Sequence, residues 1–133
     1  MIGNELTVNV DLANSGSTTP VEFKLDESYL HRNVYTGPNH SVGSRRLLGT
    51  YRTRPTISGN YRGTSKTAVK LTRDVPVLGA DGVSTITSPR IIEVSISDPL
   101  GSPEASLVED LQTIVALMDN NTFALALIRD QQI

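Results

Sequence analysis

The chain predicts an α+β fold: an N-terminal β-hairpin and an antiparallel β-sheet, followed by two C-terminal helices. Three observations carry that expectation. Apolar and polar residues alternate in short stretches between Glu5 and Ser97, which is the period of half-buried strands. After Pro103 the apolar residues recur every three or four positions, the period of a helix. Strands gathered first and helices last is the order of an antiparallel sheet with its helices segregated to one side.

The first strand is read from Glu5 to Leu12, where Leu6, Val8, Val10 and Leu12 share a face. Asn14 to Ser17 supplies the positive-φ residue of a turn, and Val21, Phe23 and Leu25 resume the alternation, so residues 1–25 form a hairpin. Pro20 suits the start of an edge strand. A third strand is expected from Tyr29 to Thr36, stopped by Gly37 and Pro38. The fourth, Arg45 to Pro55, is expected to turn Thr50, Arg52 and Arg54 outward, away from the less polar Leu47, Gly49, Tyr51 and Thr53. After a turn at Ser58 to Asn60, a fifth strand ends at Val75, with Val69, Leu71 and Val75 on one face and Ala68, Lys70 and Thr72 on the other.

Pro76 and Pro89 bracket an expected loop with an Asp81-Gly82 turn inside it, and Arg90 to Ser97 is the last strand. Ser102 is the expected N-cap of a helix that starts at Pro103 and carries Leu107, Leu111, Ile114, Val115 and Met118 on one stripe. Asn120 and Asn121 break it before a short helix from Phe123 to Arg129. The 133 residues suffice for one domain, 1–133, built of the hairpin 1–25, a sheet over 28–97 with its 76–89 loop, and a helix pair over 102–130. The second helix is nearly all Phe, Ala, Leu and Ile, and a helix apolar all round needs cover on several sides. One small sheet cannot supply it, so an intimate oligomer is expected.

Several chemistries are excluded by what is missing. The chain has no cysteine, hence no disulfide framework, thiol nucleophile or zinc knuckle. His31 and His40 lack a carboxylate at ligand spacing, so no metal site is expected. Gly63 to Thr67 approaches a phosphate loop, but the distance from Gly63 to Lys66 is wrong for one. With no Gly-x-Ser-x-Gly elbow and no paired carboxylates, neither enzyme activity nor a cofactor is expected. There is no apolar run long enough for a membrane span and no leader pattern, which implies a chain made in the cytosol with no membrane partner.

The net charge is −2, but its distribution matters more than the sum. Ser28 to Arg73 contains no Asp or Glu and nine Arg or Lys, among them Arg46, Arg52, Arg54, Arg62, Lys66 and Lys70. Cations gathered on a sheet surface are the footprint of a polyanion binder such as an RNA-binding protein. The competing reading is a solvated basic surface with no ligand.

Taken together, the hairpin ending at Leu25, the basic meander 45–75, the Pro-bounded loop 76–89, the strand Arg90 to Ser97 and the terminal helix pair resemble the coat proteins of the single-stranded RNA bacteriophages, the leviviruses. The resemblance implies an interlocked homodimer: two sheets joined edge to edge into one continuous sheet, with each subunit's helices across its partner. It further implies a T=3-like icosahedral shell with the helices outside and the sheet facing the genome, and a 76–89 loop that bends differently around the symmetry axes. The RNA-facing positions of the family carry over to Thr50, Arg52, Ala68, Lys70 and Thr72, with Glu93 and Ser95 beside them, and Thr50 with Lys70 as a pocket for an extruded base. Arg46, Arg54, Arg62 and Lys66 complete the candidate set.

Where the family stacks a base on an aromatic of the last strand, this chain has Ile91 and Pro89. General packaging of RNA is therefore expected, with repression through an RNA hairpin as a secondary role. The implied partners are further copies of the chain, single-stranded viral RNA and a phage maturation protein; the implied location is a virion assembled in the bacterial cytoplasm. The alternative, from another class, is a dimeric cellular RNA-binding regulator that forms no particles.

Overall fold

The computed structural model describes residues 3–132. Six strands, β1 (Glu5–Val10), β2 (Thr19–Ser28), β3 (Arg32–Thr36), β4 (Arg46–Thr53), β5 (Thr64–Leu78) and β6 (Thr85–Pro99), precede two helices, α1 (Glu104–Asp119) and α2 (Asn121–Ile128). The strands form one sheet in sequence order, so each lies beside its chain neighbour, and the α+β expectation is met. Two compact units result, one of residues 3–55 and 65–97, the other of residues 56–64 and 98–132.

In the first unit the hairpin pairs Leu6 with Phe23 and Val8 with Val21. Its turn is held by the Asp11 carboxylate, which accepts the N–H groups of Ser15 at 2.8 Å and Gly16 at 2.6 Å, while Asn14 and Gly16 take the positive φ that the turn requires. Those N–H groups, Ser15 first, hold the Asp11 carboxyl below its usual range. Strand β2 does not stop at Leu25; a bulge between Leu25 and Glu27 lets it continue to Ser28. The third strand correspondingly starts at Arg32, because the Tyr29 N–H donates to the Arg32 carbonyl and closes a turn there.

Val21, Phe23 and Tyr35 are the buried centre of this unit, with Leu6, Val10, Leu25, Leu48 and Leu71 packed around them. Tyr35 is completely buried, and its hydroxyl donates to the Gly3 carbonyl at 2.9 Å, so no polar group is stranded there. The face of the sheet carrying these residues is called the core face below.

The loop expected over 76–89 shrinks to residues 79–84, because β5 and β6 both run on through their prolines. Pairing of β5 with β4 ends at Arg73, and β6 is the outermost strand, so Pro76 and Pro89 each have a side on which a missing N–H costs no ladder bond. Asp81 organises the short loop by accepting the N–H groups of Val83 at 3.0 Å and Ser84 at 2.9 Å together with the Ser84 hydroxyl.

In the second unit Ser102 is not the N-cap. Its hydroxyl donates to Asp98 at 2.7 Å, and Pro103 stands at the cap position without a side-chain bond. Helix α2 starts two residues before the expected Phe123, since the Asn120 side chain accepts the Phe123 N–H at 3.2 Å and caps the helix from there. No residue of α1 is buried, and of α2 only Ala124 is. No single described helix is long and apolar enough to cross a membrane.

The Ser84 hydroxyl and the N–H groups of Val83 and Ser84 lower the Asp81 carboxyl from its ordinary 3.8 to about 2. The loop contacts are thus fully present above the ordinary value and are lost as pH falls through about 2. An NMR titration of the Asp81 carboxyl is expected to show that low midpoint; an ordinary midpoint would mean that the loop is not organised by this side chain.

Candidate nucleic-acid interface

Residues directly opposite one another in a regular antiparallel pair lie on the same face of the sheet. Between β4 and β5 the opposed pairs are Arg46 with Arg73, Leu48 with Leu71, Thr50 with Val69 and Arg52 with Thr67. Leu48 and Leu71 pack on the core, so all eight residues are on the core face. The alternate pairs, Leu47 with Thr72, Gly49 with Lys70, Tyr51 with Ala68 and Thr53 with Lys66, are on the opposite face, here called the lysine face.

The candidate residues are thereby split. Lys66, Ala68, Lys70 and Thr72 share the lysine face, as their alternation implied, but Arg46, Thr50 and Arg52 are on the core face. Thr50 and Lys70 cannot line one pocket, because the sheet lies between them. The parity of β4 was misjudged because its apolar signal is weak: Leu47 and Leu48 are adjacent, and Gly49, Thr50 and Tyr51 do not separate by polarity. Contact with the core, through Leu48, sets the choice. Arg46 packs its stem so close to Gly37 that a Cβ there would lie 3.0 Å from it, and Arg52 donates to the Leu30 carbonyl at 2.9 Å. Arg54 follows the end of β4, and Arg62 is exposed in the second unit.

At the tip of the β5–β6 hairpin the Gly79 N–H donates to the Ser84 carbonyl, and at its far end the Leu100 N–H donates to the Gly63 carbonyl. Both bonds fit one unbroken register, which sets Ala68 against Ser95, Lys70 against Glu93, Val69 against Val94 and Leu71 against Ile92. Glu93 and Ser95 therefore join Lys70 and Ala68 on the lysine face, while Ile92 and Val94 extend the apolar core face.

Two residues absent from the sequence-based set belong to the lysine face. Arg32 lies opposite Tyr51, and its guanidinium stacks over the Tyr29 ring, 4.4 Å from the ring centre. Tyr51 folds its ring over Gly49, where a Cβ would fall 2.7 Å from the ring. A glycine two residues before a tyrosine was the signal for this arrangement: a bare strand position on the same face as an aromatic that can cover it.

Among the described residues one ion pair forms, on the lysine face: Arg45 grips Asp74 through Nε at 3.1 Å and a second guanidinium nitrogen at 3.1 Å, with its own backbone N–H adding a bond of 2.9 Å. These bonds, the guanidinium first, hold the Asp74 carboxyl below its usual range and raise Arg45. Tyr61, a candidate for stacking, instead shares a short hydrogen bond with Thr64. A groove of about 260 Å³ crosses the strands at residues 51–53, 66–68 and 95–97. It is smaller than the roughly 300–1,000 Å³ of sites that enclose a small molecule. No group of His, Cys, Asp and Glu able to hold a metal occurs among the described residues.

No family model matches the chain, and no curated protein matches it. Solved structures do. The virus-like particle of Beihai levi-like virus 32 superposes with a TM-score of 0.73 at 26% identity, over 86% of this chain and 89% of that one. The virus-like particle of bacteriophage AVE019 gives 0.71 at 16% identity over 97% and 96%, and that of Wenzhou levi-like virus 4 gives 0.71 at 17% over 93% and 83%. These neighbours are shells of levi-like phages, so the resemblance to their coat proteins carried by the hairpin, the basic meander and the helix pair is borne out.

A valine at Gly49 would collide with the Tyr51 ring, and overpacking of that kind costs about 1–3 kcal/mol. Gly49→Val is expected to destabilise by that amount in denaturant unfolding, and adding Tyr51→Ala is expected to recover part of it. Full additivity of the two changes would show that the ring does not cover Gly49.

Proposed function

We propose that this chain is the structural subunit of a levi-like phage shell, assembling through dimers and packaging single-stranded RNA against its lysine face. The observation that carries the reading is apolar surface that a single chain leaves uncovered. Val69, Ile92 and Val94 on the core face are 47%, 54% and 44% exposed, and α1 exposes Val108, Leu111, Ile114, Val115 and Met118. Surface of this extent marks an interaction site. The 15-residue β6 has a neighbour on one side only, so its other edge offers a long row of free backbone donors and acceptors.

A second copy meets both needs. Antiparallel pairing of two β6 edges continues the sheet, and the partner's helices cover the apolar core face. The lysine face then remains for the genome, with Lys66, Lys70 and Arg32 neutralising phosphates and Ala68, Thr72, Ser95 and Tyr51 between them. Each cation engaged on a single strand contributes a slope of about −0.7 to the logarithm of affinity against that of salt. Repression through an RNA hairpin, contact with a maturation protein and assembly in the host cytoplasm belong to the same reading.

Expression of the chain alone, followed by electron microscopy and the ratio of absorbance at 260 and 280 nm, tests it. Closed particles holding nuclease-protected RNA are expected. A soluble dimer with no particles across salt and protein concentration would instead establish the RNA-binding regulator. Lys66→Ala with Lys70→Ala is expected to lower RNA content while particles still form, and Thr50→Ala, on the other face, to leave it unchanged. The reverse pattern would move RNA to the core face. Truncation after Gly101 is expected to abolish soluble dimer; a soluble, folded monomer from that truncation would contradict helix exchange.

A further inference from the structure

Three arginines line up across the core face in an arrangement that costs stability. Arg46 lies directly opposite Arg73, and the β5–β6 register places Arg90 opposite Arg73 in turn. Like charges placed directly across a sheet repel. No acid compensates them, since the single ion pair among the described residues is Arg45 with Asp74 on the other face. Across from Arg46 on the β3 side is Gly37, whose N–H donates to the Arg46 carbonyl. Arg73 and Arg90 are exposed, and Arg46 is half-buried. The row adjoins core-packed Leu71 and, beside it, the uncovered apolar strip of Ile92, Val69 and Val94.

The complementary surface is on the same chain's helices. Between Arg90 and Arg129 there is no Lys or Arg, and helical spacing sets Glu104, Asp110 and Asp119 of α1 beside its exposed apolar stripe, with Glu109 on the opposite side. An apolar stripe edged by carboxylates matches an apolar strip edged by guanidiniums in both respects. We infer that Arg46, Arg73 and Arg90 form an ionic seat for the acidic helix α1 of a second copy of this chain. The inference rests on the dimer proposed above and adds its specificity device: the arginine row orients the incoming helix and makes assembly sensitive to salt. Guanidinium forks suit the task because they bind carboxylates through two parallel bonds, as Arg45 does with Asp74.

The test measures dimer dissociation of the RNA-free full chain by sedimentation, with circular dichroism as a check on folding. Arg46 is left intact because its stem packs on Gly37. Arg73→Gln with Arg90→Gln is expected to keep the fold, since it relieves repulsion, yet to weaken the dimer about tenfold or more at low salt. The difference is expected to shrink as salt is added. Arg73→Glu with Arg90→Glu is expected to weaken it further, and lysine in place of Glu104, Asp110 or Asp119 to restore it. A wild-type dimer indifferent to both double substitutions overturns the seat and leaves the coat-protein reading standing. A wild-type chain that stays monomeric overturns both. Loss of packaged RNA with dimer strength unchanged also overturns the seat, assigning the row to phosphates.

Discussion

The register of β4 on β5 governs the rest of the structure. Directly opposed residues share a face, so a single pairing, Leu48 against Leu71, decides to which face each charge on β4 and β5 belongs. A slip of one residue would send Arg46, Thr50 and Arg52 to the face of Lys66 and Lys70, and put Tyr51 and Leu47 on the core. Burial enforces the observed choice: Leu48 and Leu71 pack against Val21, Phe23 and Tyr35, which no charged neighbour could do without losing its hydration. The β6 strand inherits the same parity through the hairpin, and this is how Ile92 and Val94 come to widen an apolar surface already begun by Val69.

That surface has a physical consequence. Val21, Phe23, Tyr35 and Ala124 are the only buried apolar side chains among the described residues, a small core for 133 residues. A chain of this size ordinarily hides about two-thirds of the surface its unfolded form exposes. Here much of the apolar surface of β6, α1 and α2 stays open to solvent. The open edge of β6 and the bare stripe of α1 are then two halves of one requirement for a partner. In the levi-like reading a second copy satisfies both at once, and the fold is completed by assembly.

Charge is sorted by the same geometry. The lysines of β5 lie on one face, and the unpaired arginines of β4, β5 and β6 lie on the other. Flexible ammonium groups suit a backbone of phosphates that need not be read base by base. Planar guanidiniums suit fixed carboxylates. In the proposed reading, a formally acidic chain thus presents one cationic face to a nucleic acid and a second to the acidic helix of its own copy.

Much of this was legible beforehand. The order of elements, the hairpin turn at Asn14 to Gly16, the helix stripe from Leu107 to Met118 and the acid-free tract follow from local periodicity and composition, which act within a few residues and are visible in the chain. The faces of the candidate residues were legible on β5, where Val69 and Leu71 alternate cleanly with Ala68, Lys70 and Thr72. On β4 they were not, because Leu47 and Leu48 are adjacent and only contact with a distant core tells them apart. The prolines misled for a similar reason: Pro76 and Pro89 break a strand only where a neighbour needs their N–H, and which side lies free is a property of the assembled sheet. Sequence alone thus determined which elements form and that the chain carries a segregated basic tract. Tertiary structure alone decided which cations stand together, since a face is defined by pairing between strands far apart in the chain.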